Sequence, residues 1–259
     1  MIAFIRLFYE RFKFTIFSFN RISSGIDKKV LEELANEGFV VVPDFMSNTE
    51  CKKVCDSIDF SISDEKIPVQ WDKSQTDARL VGAEMLDVTI EKFHRSDRIS
   101  SISDVFYGEP SSSLFILGGR LRFNGVNLGS GGGWHRDSFS RQLKAMVYLT
   151  DVEGSNGAFQ FVPKSHKFGH MVRFNLFLNQ SSLSKRYALI EVDRFCSRDS
   201  EERGIELTGK AGTLILFDSS GLHRGTPIRE GSRYALTSYL MRNRSIDDAK
   251  YLKFGLRKR

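Results

Sequence analysis

Cysteine is scarce in this chain, with three among 259 residues. Three thiols cannot build the disulfide framework of a small secreted scaffold. Two of them also have a better use. Cys51, Val54, Cys55 and Ile58 fall at i, i+3, i+4 and i+7, one apolar face of a helix, where a buried thiol acts as a small hydrophobe rather than a redox or zinc group. A reducing cytoplasm is the expected setting. Long apolar runs are missing as well. Nothing approaches the roughly 20 uninterrupted apolar residues that a membrane span requires, and no apolar stretch leads to a small-residue cleavage site of the signal-peptide kind. Phosphate-binding motifs are absent: GSGGGW at 129–134 precedes a strand-like run rather than a helix, and TGKAGT has no Walker spacing. Ser219 and Ser220 stand near His223 without the G-x-S-x-G elbow of a serine hydrolase. There is no internal repeat and no low-complexity tract.

Charge is unevenly spread. The net +6 comes from the ends. Residues 1–30 hold six basic and two acidic side chains, and residues 241–259 hold seven and two, which leaves the middle at −3. A nucleic-acid-binding domain would carry its basic surface internally, so nucleic acid is not an expected partner. Residues 1–25 contain six phenylalanines among scattered charges. Ile5, Phe8, Phe12, Ile16 and Phe19 lie near helical spacing. This segment reads as a helix packed on the domain, with a weak peripheral membrane contact as the open alternative.

The rest organises as helices followed by strands. Val30, Leu31, Leu34 and Ala35 form a short amphipathic helix stopping near Gly38. FVVVP follows as a buried strand, and Ser47-Asn48-Thr49-Glu50 is a capping box that starts the cysteine-bearing helix. Ile99, Ile102 and Phe106 mark another helix ending at Gly108. From Leu114 the pattern turns to strands: SLFILGGRLRF, WHRDSF, KAMVYLT, AFQFVP, TLILF and YALTSYL. Helices first and strands after indicate an α+β arrangement with a mainly β core. We expect an N-terminal helix over 1–25, a single domain over 26–243 and a basic, solvated tail over 244–259. Residues 61–95 and 167–205 lack regular periodicity and are expected to be long connections that enclose a substrate.

The chemistry concentrates in His135, Asp137 and His223, the first two in GGGWHRDSF and the third in FDSSGLHRGTP. Two imidazoles and a carboxylate can occupy one face of an octahedral Fe(II) and leave three positions open. In an extended strand, residues i and i+2 point to the same side, so His135 and Asp137 can grip one ion together. His223 follows TLILF and would come from another strand. Ten residues on, Arg233 opens RYALTSYL; its planar fork suits a carboxylate. Each part alone is weak, since an H-x-D pair arises by chance and single histidines and arginines are mostly structural. Order, strand context and arginine spacing together make the metal reading. Of the other histidines, His166 reads as bracing a turn after Pro163, His170 as part of the same turn region, and His94 as exposed.

With these motifs the chain resembles the phytanoyl-CoA dioxygenase-like branch of the Fe(II)/2-oxoglutarate-dependent oxygenases. The resemblance covers about residues 27–243. It runs from LEELANEGFVVVPDFMSNTE through WHRD, NGAFQFVPKSH and AGTLILFDSSGLHRGTP to the arginine of GSRYALTSYL. It implies a double-stranded β-helix (jelly-roll, cupin-like) barrel flanked by N-terminal helices. It also implies Fe(II) held by His135, Asp137 and His223, 2-oxoglutarate held by Arg233, and dioxygen as the oxidant. The expected reaction is hydroxylation of a small-molecule, lipid-type or sugar-type substrate with release of succinate and CO2. Asp137 favours hydroxylation or desaturation, because related halogenating enzymes have lost this carboxylate. Two positions depart from the pattern. Lys164 stands where P-G-S-H has glycine, and Arg120 and Arg122 stand in GGRLRFN where amides are frequent. Arg122 is our candidate for a second co-substrate contact, against a rim ion pair, and Lys144 raises the same question. The competing reading is a barrel that keeps the fold as a binding protein, or one that holds zinc or manganese. The sequence singles out no protein partner.

Overall fold

The computed structural model describes residues 25–125, 130, 133–178, 185–197 and 204–256. The aromatic segment expected to form the first helix lies outside the described residues. Helix α1 (Gly25–Glu37) ends at Gly38, whose φ of 89° is the left-handed conformation that glycine adopts freely. Strand β1 (Phe39–Val42) follows. Helix α2 (Asn48–Ser63) begins with the expected capping box: Ser47 N donates to Glu50 Oε2 at 3.0 Å, and Glu50 N donates to Ser47 Oγ at 3.3 Å. Its buried face carries Cys51, Val54 and Ile58, with Cys55 half-buried beside them.

The remaining elements are β2 (Gln70–Trp71), β3 (Asp77–Val81), α3 (Val88–His94), α4 (Asp97–Tyr107), β4 (Ser111–Arg122), β5 (Leu143–Tyr148), β6 (Phe159–Phe161), α5 (Phe168–Phe177), α6 (Leu189–Cys196), β7 (Ile205–Leu207), β8 (Leu214–Asp218), β9 (His223–Gly225), β10 (Ser232–Arg242) and α7 (Asp248–Lys253). Seven strands form one sheet in the order β1-β8-β5-β10-β4-β3-β2, and three form a second in the order β7-β6-β9. Every pairing is antiparallel. The two sheets face each other as a jelly roll.

The side-chain period of two sorts each strand of the large sheet between two cores. On its outer face, Tyr234, Leu236 and Leu240 of β10 and Leu214 and Leu216 of β8 pack with Val54 and Ile58 of α2 and with Ile99, Ile102 and Phe106 of α4. On its inner face, Met146, Tyr148, Ile215, Phe217 and Ala235 meet Phe159 and Phe161 of the small sheet. Tyr148 ties the layers together: its hydroxyl donates to Leu207 O at 2.8 Å and accepts from Phe159 N at 2.9 Å.

Three expectations need correction. WHRDSF is not a strand; His135 forms isolated bridges only, and Asp137 lies in irregular chain. The polar stretch 61–95 contributes β3, a full member of the large sheet, and 167–205 contains α5 and α6. Their helical and strand periods are too short to stand out against polar surroundings. The described C-terminal residues are not free of the domain throughout: Phe254, just after α7, packs against Phe115 and Tyr239 with ring centroids 4.7 and 5.8 Å apart, while most of the residues around it stay exposed or half-buried.

Candidate metal centre

The segment that carries His135 and Asp137 is held by backbone bonds to the β8–β9 connection. His135 and His223 exchange a pair of N–H···O bonds, each 3.0 Å, and Asp137 N donates to Ser219 O at 3.0 Å. Residues opposed in an antiparallel pair share a face, so both imidazoles project the same way. Arg136, between the two ligands, turns back into the scaffold. It is fully buried, and its Nη1 donates to Ser165 O at 2.7 Å and Ser220 O at 2.5 Å. On the outer side of the small sheet, Arg224 lies over Trp134 at 4.7 Å and donates to Gln160 Oε1 at 2.7 Å. Because Trp134 precedes His135 and Arg224 follows His223, this contact clamps both ligand segments from behind.

The site's donors fit a divalent ion. One ligand atom from each of His135, Asp137 and His223 lies within 4.8 Å of the others. His135 Nε2 is 3.7 Å from Asp137 Oδ1, and His223 Nε2 is 3.9 Å from Asp137 Oδ2. Adjacent ligands of an octahedral ion with bonds of roughly 2.1 Å stand about 3 Å apart, so a closure of at most about 2 Å between any two of these atoms completes the set. The tautomers are fixed as well. His135 Nδ1 meets Gly133 O at 2.8 Å, and His223 Nδ1 meets Gly221 O at 3.0 Å. A carbonyl can only accept, so each Nδ1 carries the hydrogen and each Nε2 can offer its lone pair to the metal. Burial keeps both rings neutral: it lowers the pKa of His135 and pushes that of His223 down to about 3. Burial alone would raise the Asp137 carboxyl, but the Lys144 ammonium beside it outweighs that effect and holds the carboxyl well below the usual range.

Around these groups is a cavity of about 230 Å³ between the sheets. Leu117, Gly119 and Leu121 of β4, Lys144 and Met146 of β5, Phe217 of β8 and Arg233, Ala235, Thr237 and Tyr239 of β10 line it, all odd or even partners of one inward face. Arg233 is 8% exposed, and its Nη1 donates to Gly157 O. Its Nε is buried without a hydrogen-bond partner among the described residues, which fits a carboxylate that the cavity is built to take. Gly157 has φ 84°, and a Cβ there would come within 2.8 Å of Leu121 Cδ2, so glycine is what lets this turn approach the cavity wall.

Arg122 must be withdrawn as a cavity residue. It is exposed and alternates with Leu121, which does face the cavity, so the period of two sends Arg120 and Arg122 to the other face. Arg120 there pairs with Asp59 at 2.7 Å, beside Tyr234, whose hydroxyl also reaches Asp59. Lys144 does belong to the site, at 2.5 Å from Asp137 Oδ2. Sequence reading missed Asp77 and Arg79 of β3, which line the cavity as an ion pair; the alternation in DARLV was the available signal. It also missed Arg186, which bridges His135 in the backbone and lines the cavity, and which has no strand pattern around it. His94, expected to be exposed, is half-buried with its Nδ1 2.9 Å from Ser113 Oγ. His166 braces its turn through Ala35 O at 3.1 Å, while His170 sits buried on α5.

The model of the phytanoyl-CoA dioxygenase (PhyH) family matches residues 34–234. The chain belongs to this family. PhyH membership makes it an enzyme of the iron- and 2-oxoglutarate-dependent oxygenase superfamily, with a donor set that fits that metal. No curated protein sequence matches it. Among solved structures, the α-ketoglutarate-dependent epimerase SnoN from nogalamycin biosynthesis, in complex with Fe3+, α-ketoglutarate and nogalamycin RO, is similar with a TM-score of 0.64 at 16% identity over 84% of each chain. HygX from Streptomyces hygroscopicus, with nickel and 2-oxoglutarate bound, gives 0.60 at 18% identity over 83% of this chain and 87% of HygX. The carbocyclase SnoK from nogalamycin biosynthesis gives 0.59 at 15% identity over 86% and 85% of the two chains. At these identities the likeness is one of fold.

Lys164, at the position where the resemblance leads one to expect glycine, has φ 61°. The turn requires the left-handed conformation whichever residue stands there, and Lys164 N donates to Glu37 O at 2.8 Å within it. Among the described residues no helix is long and apolar enough to cross a membrane.

Proposed function

We propose that this PhyH-family chain is an Fe(II)- and 2-oxoglutarate-dependent dioxygenase that hydroxylates a small-molecule substrate and releases succinate and CO2. One observation carries the reading. The neutral Nε2 atoms of His135 and His223 and the Asp137 carboxylate converge in the same cavity that Arg233 lines with a buried Nε that has no hydrogen-bond partner among the described residues. When bound, iron supplies the dioxygen chemistry, while 2-oxoglutarate supplies two of the four electrons that dioxygen needs. The protein's own part is position and dryness. His135, Asp137 and His223 would hold the ion at the wall of the cavity. Arg233 would hold the far carboxylate of the co-substrate and so orient its chelating end. Phe159 and Phe217, with ring centroids 5.6 and 5.5 Å from His223, wall off that ligand from water.

Two of the fold relatives, SnoN and SnoK, are described as an epimerase and a carbocyclase. Hydrogen abstraction without hydroxylation is therefore the second outcome to test for. Relatives seen with nogalamycin RO and hygromycin B support a small organic molecule as the substrate class. The deciding experiment is a substrate screen with Fe(II), 2-oxoglutarate and air. Succinate release should rise with one class of candidate, and mass spectrometry should show a gain of one oxygen. Loss or rearrangement of hydrogen without that gain selects the second outcome. Absence of any 2-oxoglutarate consumption, coupled or uncoupled, would count against the enzyme reading.

A further inference from the structure

Lys144 is a buried cation of the cavity to which the oxygenase reading gives no task. Its ammonium is buried, with the residue 6% exposed, and lies 2.5 Å from Asp137 Oδ2 and 4.0 Å from the centroid of the Tyr239 ring. The sheet delivers it there by register. Lys144 lies opposite Tyr239 of β10 on one side and Phe217 of β8 on the other, and all three line the cavity. An apolar side chain would fill the same space without dehydrating a charge, so the lysine is costly unless nearby charges offset it.

Formal charge shows what the lysine changes. The two imidazoles are neutral, Asp137 contributes −1 and Lys144 contributes +1. The ligand set and its nearest neighbour are therefore neutral before anything binds. A divalent ion entering alone meets no net attraction and sits across a single carboxylate from an ammonium, a repulsion that protein surroundings screen less than water does. A dianionic chelator arriving with the ion returns the total to zero. Building on the proposed function, we propose that Lys144 deepens the mutual dependence of metal binding and 2-oxoglutarate binding beyond what chelation of the ion by the co-substrate itself provides. It weakens the hold of His135, Asp137 and His223 on a divalent ion alone and relieves that weakness when the dicarboxylate is present. By occupying Asp137 Oδ2 it also leaves Oδ1, the oxygen 3.7 Å from His135 Nε2, as the ligand atom. Such coupling is reciprocal: each ligand raises the other's affinity by one common factor.

The test uses the full chain and Mn(II), followed by the free-ion electron paramagnetic resonance signal under anaerobic conditions, with and without 2-oxoglutarate. For the native protein, 2-oxoglutarate should tighten Mn(II) binding by about tenfold or more, within the usual range of coupling between sites. Lys144→Met should bind Mn(II) alone about tenfold more tightly and show coupling about tenfold smaller than the native protein's, whereas Lys144→Arg, which keeps the charge, should retain most of it. If Lys144→Met does not give a cooperative thermal melt, Lys144→Gln takes its place. Native coupling below about twofold overturns the proposal without any variant. So does a neutral variant that melts differently but couples like the native protein, since that is the behaviour of a lysine serving structure alone. Failure of the native protein to bind Mn(II) or 2-oxoglutarate at all would overturn the oxygenase reading together with this one, whereas binding without coupling overturns this one only.

Discussion

Replacing Arg233 by lysine separates a 2-oxoglutarate enzyme from a barrel that merely binds metal. In the native cavity, Arg233 Nη1 is committed to Gly157 O, while Nε, which shares its edge of the guanidinium with Nη2, is buried without a hydrogen-bond partner among the described residues. Those two nitrogens form one edge of the guanidinium, the edge that can donate two parallel hydrogen bonds to a carboxylate. Lysine keeps the positive charge but concentrates it in one ammonium, which cannot serve Gly157 O and both carboxylate oxygens from the same place. The variant should therefore lose one charge-assisted hydrogen bond and keep the ion pair. Such a bond contributes about 1.5–3 kcal/mol, and each ~1.4 kcal/mol is a tenfold change in affinity. The expected result is a rise in the 2-oxoglutarate Kd of about 10- to 100-fold, with iron content unchanged because none of the three ligands is touched. The assay is an anaerobic titration followed at the charge-transfer absorption of the Fe(II)–2-oxoglutarate chelate, with iron measured on the same samples. A variant that binds 2-oxoglutarate as tightly as the parent refutes the reasoning. Lys144, the other buried cation of the cavity, would then become the candidate anchor.

Further tests address the ligands, the core and the turn. Asp137→Ala should abolish iron-dependent 2-oxoglutarate decarboxylation while leaving the circular dichroism spectrum unchanged; residual turnover above a few per cent would remove Asp137 from the ligand set. Val54→Asp places a charge at a fully buried position where α2 meets the large sheet, and should lower stability by roughly 3 kcal/mol or more. A normal melting temperature would show that the contact is not a core. Lys164→Gly should raise stability by up to about 1 kcal/mol, because relief of the left-handed strain exceeds the added freedom of glycine in the unfolded chain. His170 is buried against Phe195, and burial, aided by Arg136 and Arg173, pushes its pKa down to about 3. The unfolded chain therefore binds a proton that the folded chain refuses at any pH between its ordinary value and about 3. Stability from this group is present above about pH 6.5 and falls by about 1.4 kcal/mol per unit as pH drops below it. His170→Phe should flatten that slope by one proton's worth in urea unfolding at pH 7.5 and 5.5, and an unchanged slope would place the titration elsewhere.

Much of the site was legible because its residues carry chemistry that few other patterns mimic. His135, Asp137, His223 and Arg233 are named by spacing and residue type, and the fold does bring them to one cavity. The reason offered for the H-x-D spacing was only partly right. Residues i and i+2 do share a side, but not in a ladder strand. The alignment comes from the paired backbone bonds of His135 with His223 and from Arg136, whose buried guanidinium holds the intervening residue away from the cavity. A long-range bridge of that kind leaves no periodic trace in sequence, which is also why Arg186 went unnoticed.

The arginines of β4 show where local pattern runs out. GGRLRFN alternates, so it states that Arg120 and Arg122 share a face, but it cannot state which face is the cavity. That choice is made by partners far along the chain. Arg120 pairs with Tyr234 across the ladder, and Tyr234 belongs to the core beneath α2, where Asp59 offers a carboxylate to both. Arg233, one residue along β10, pairs with Leu121 and is thereby assigned the opposite face. A one-residue slip in either strand would exchange the two arginine sets and empty the cavity of its carboxylate anchor. The register of β4 against β10, rather than the presence of arginine in either, therefore decides which guanidinium can meet a co-substrate. The Asp59 contacts with Arg120 and Tyr234 reinforce that register from the far side of the sheet.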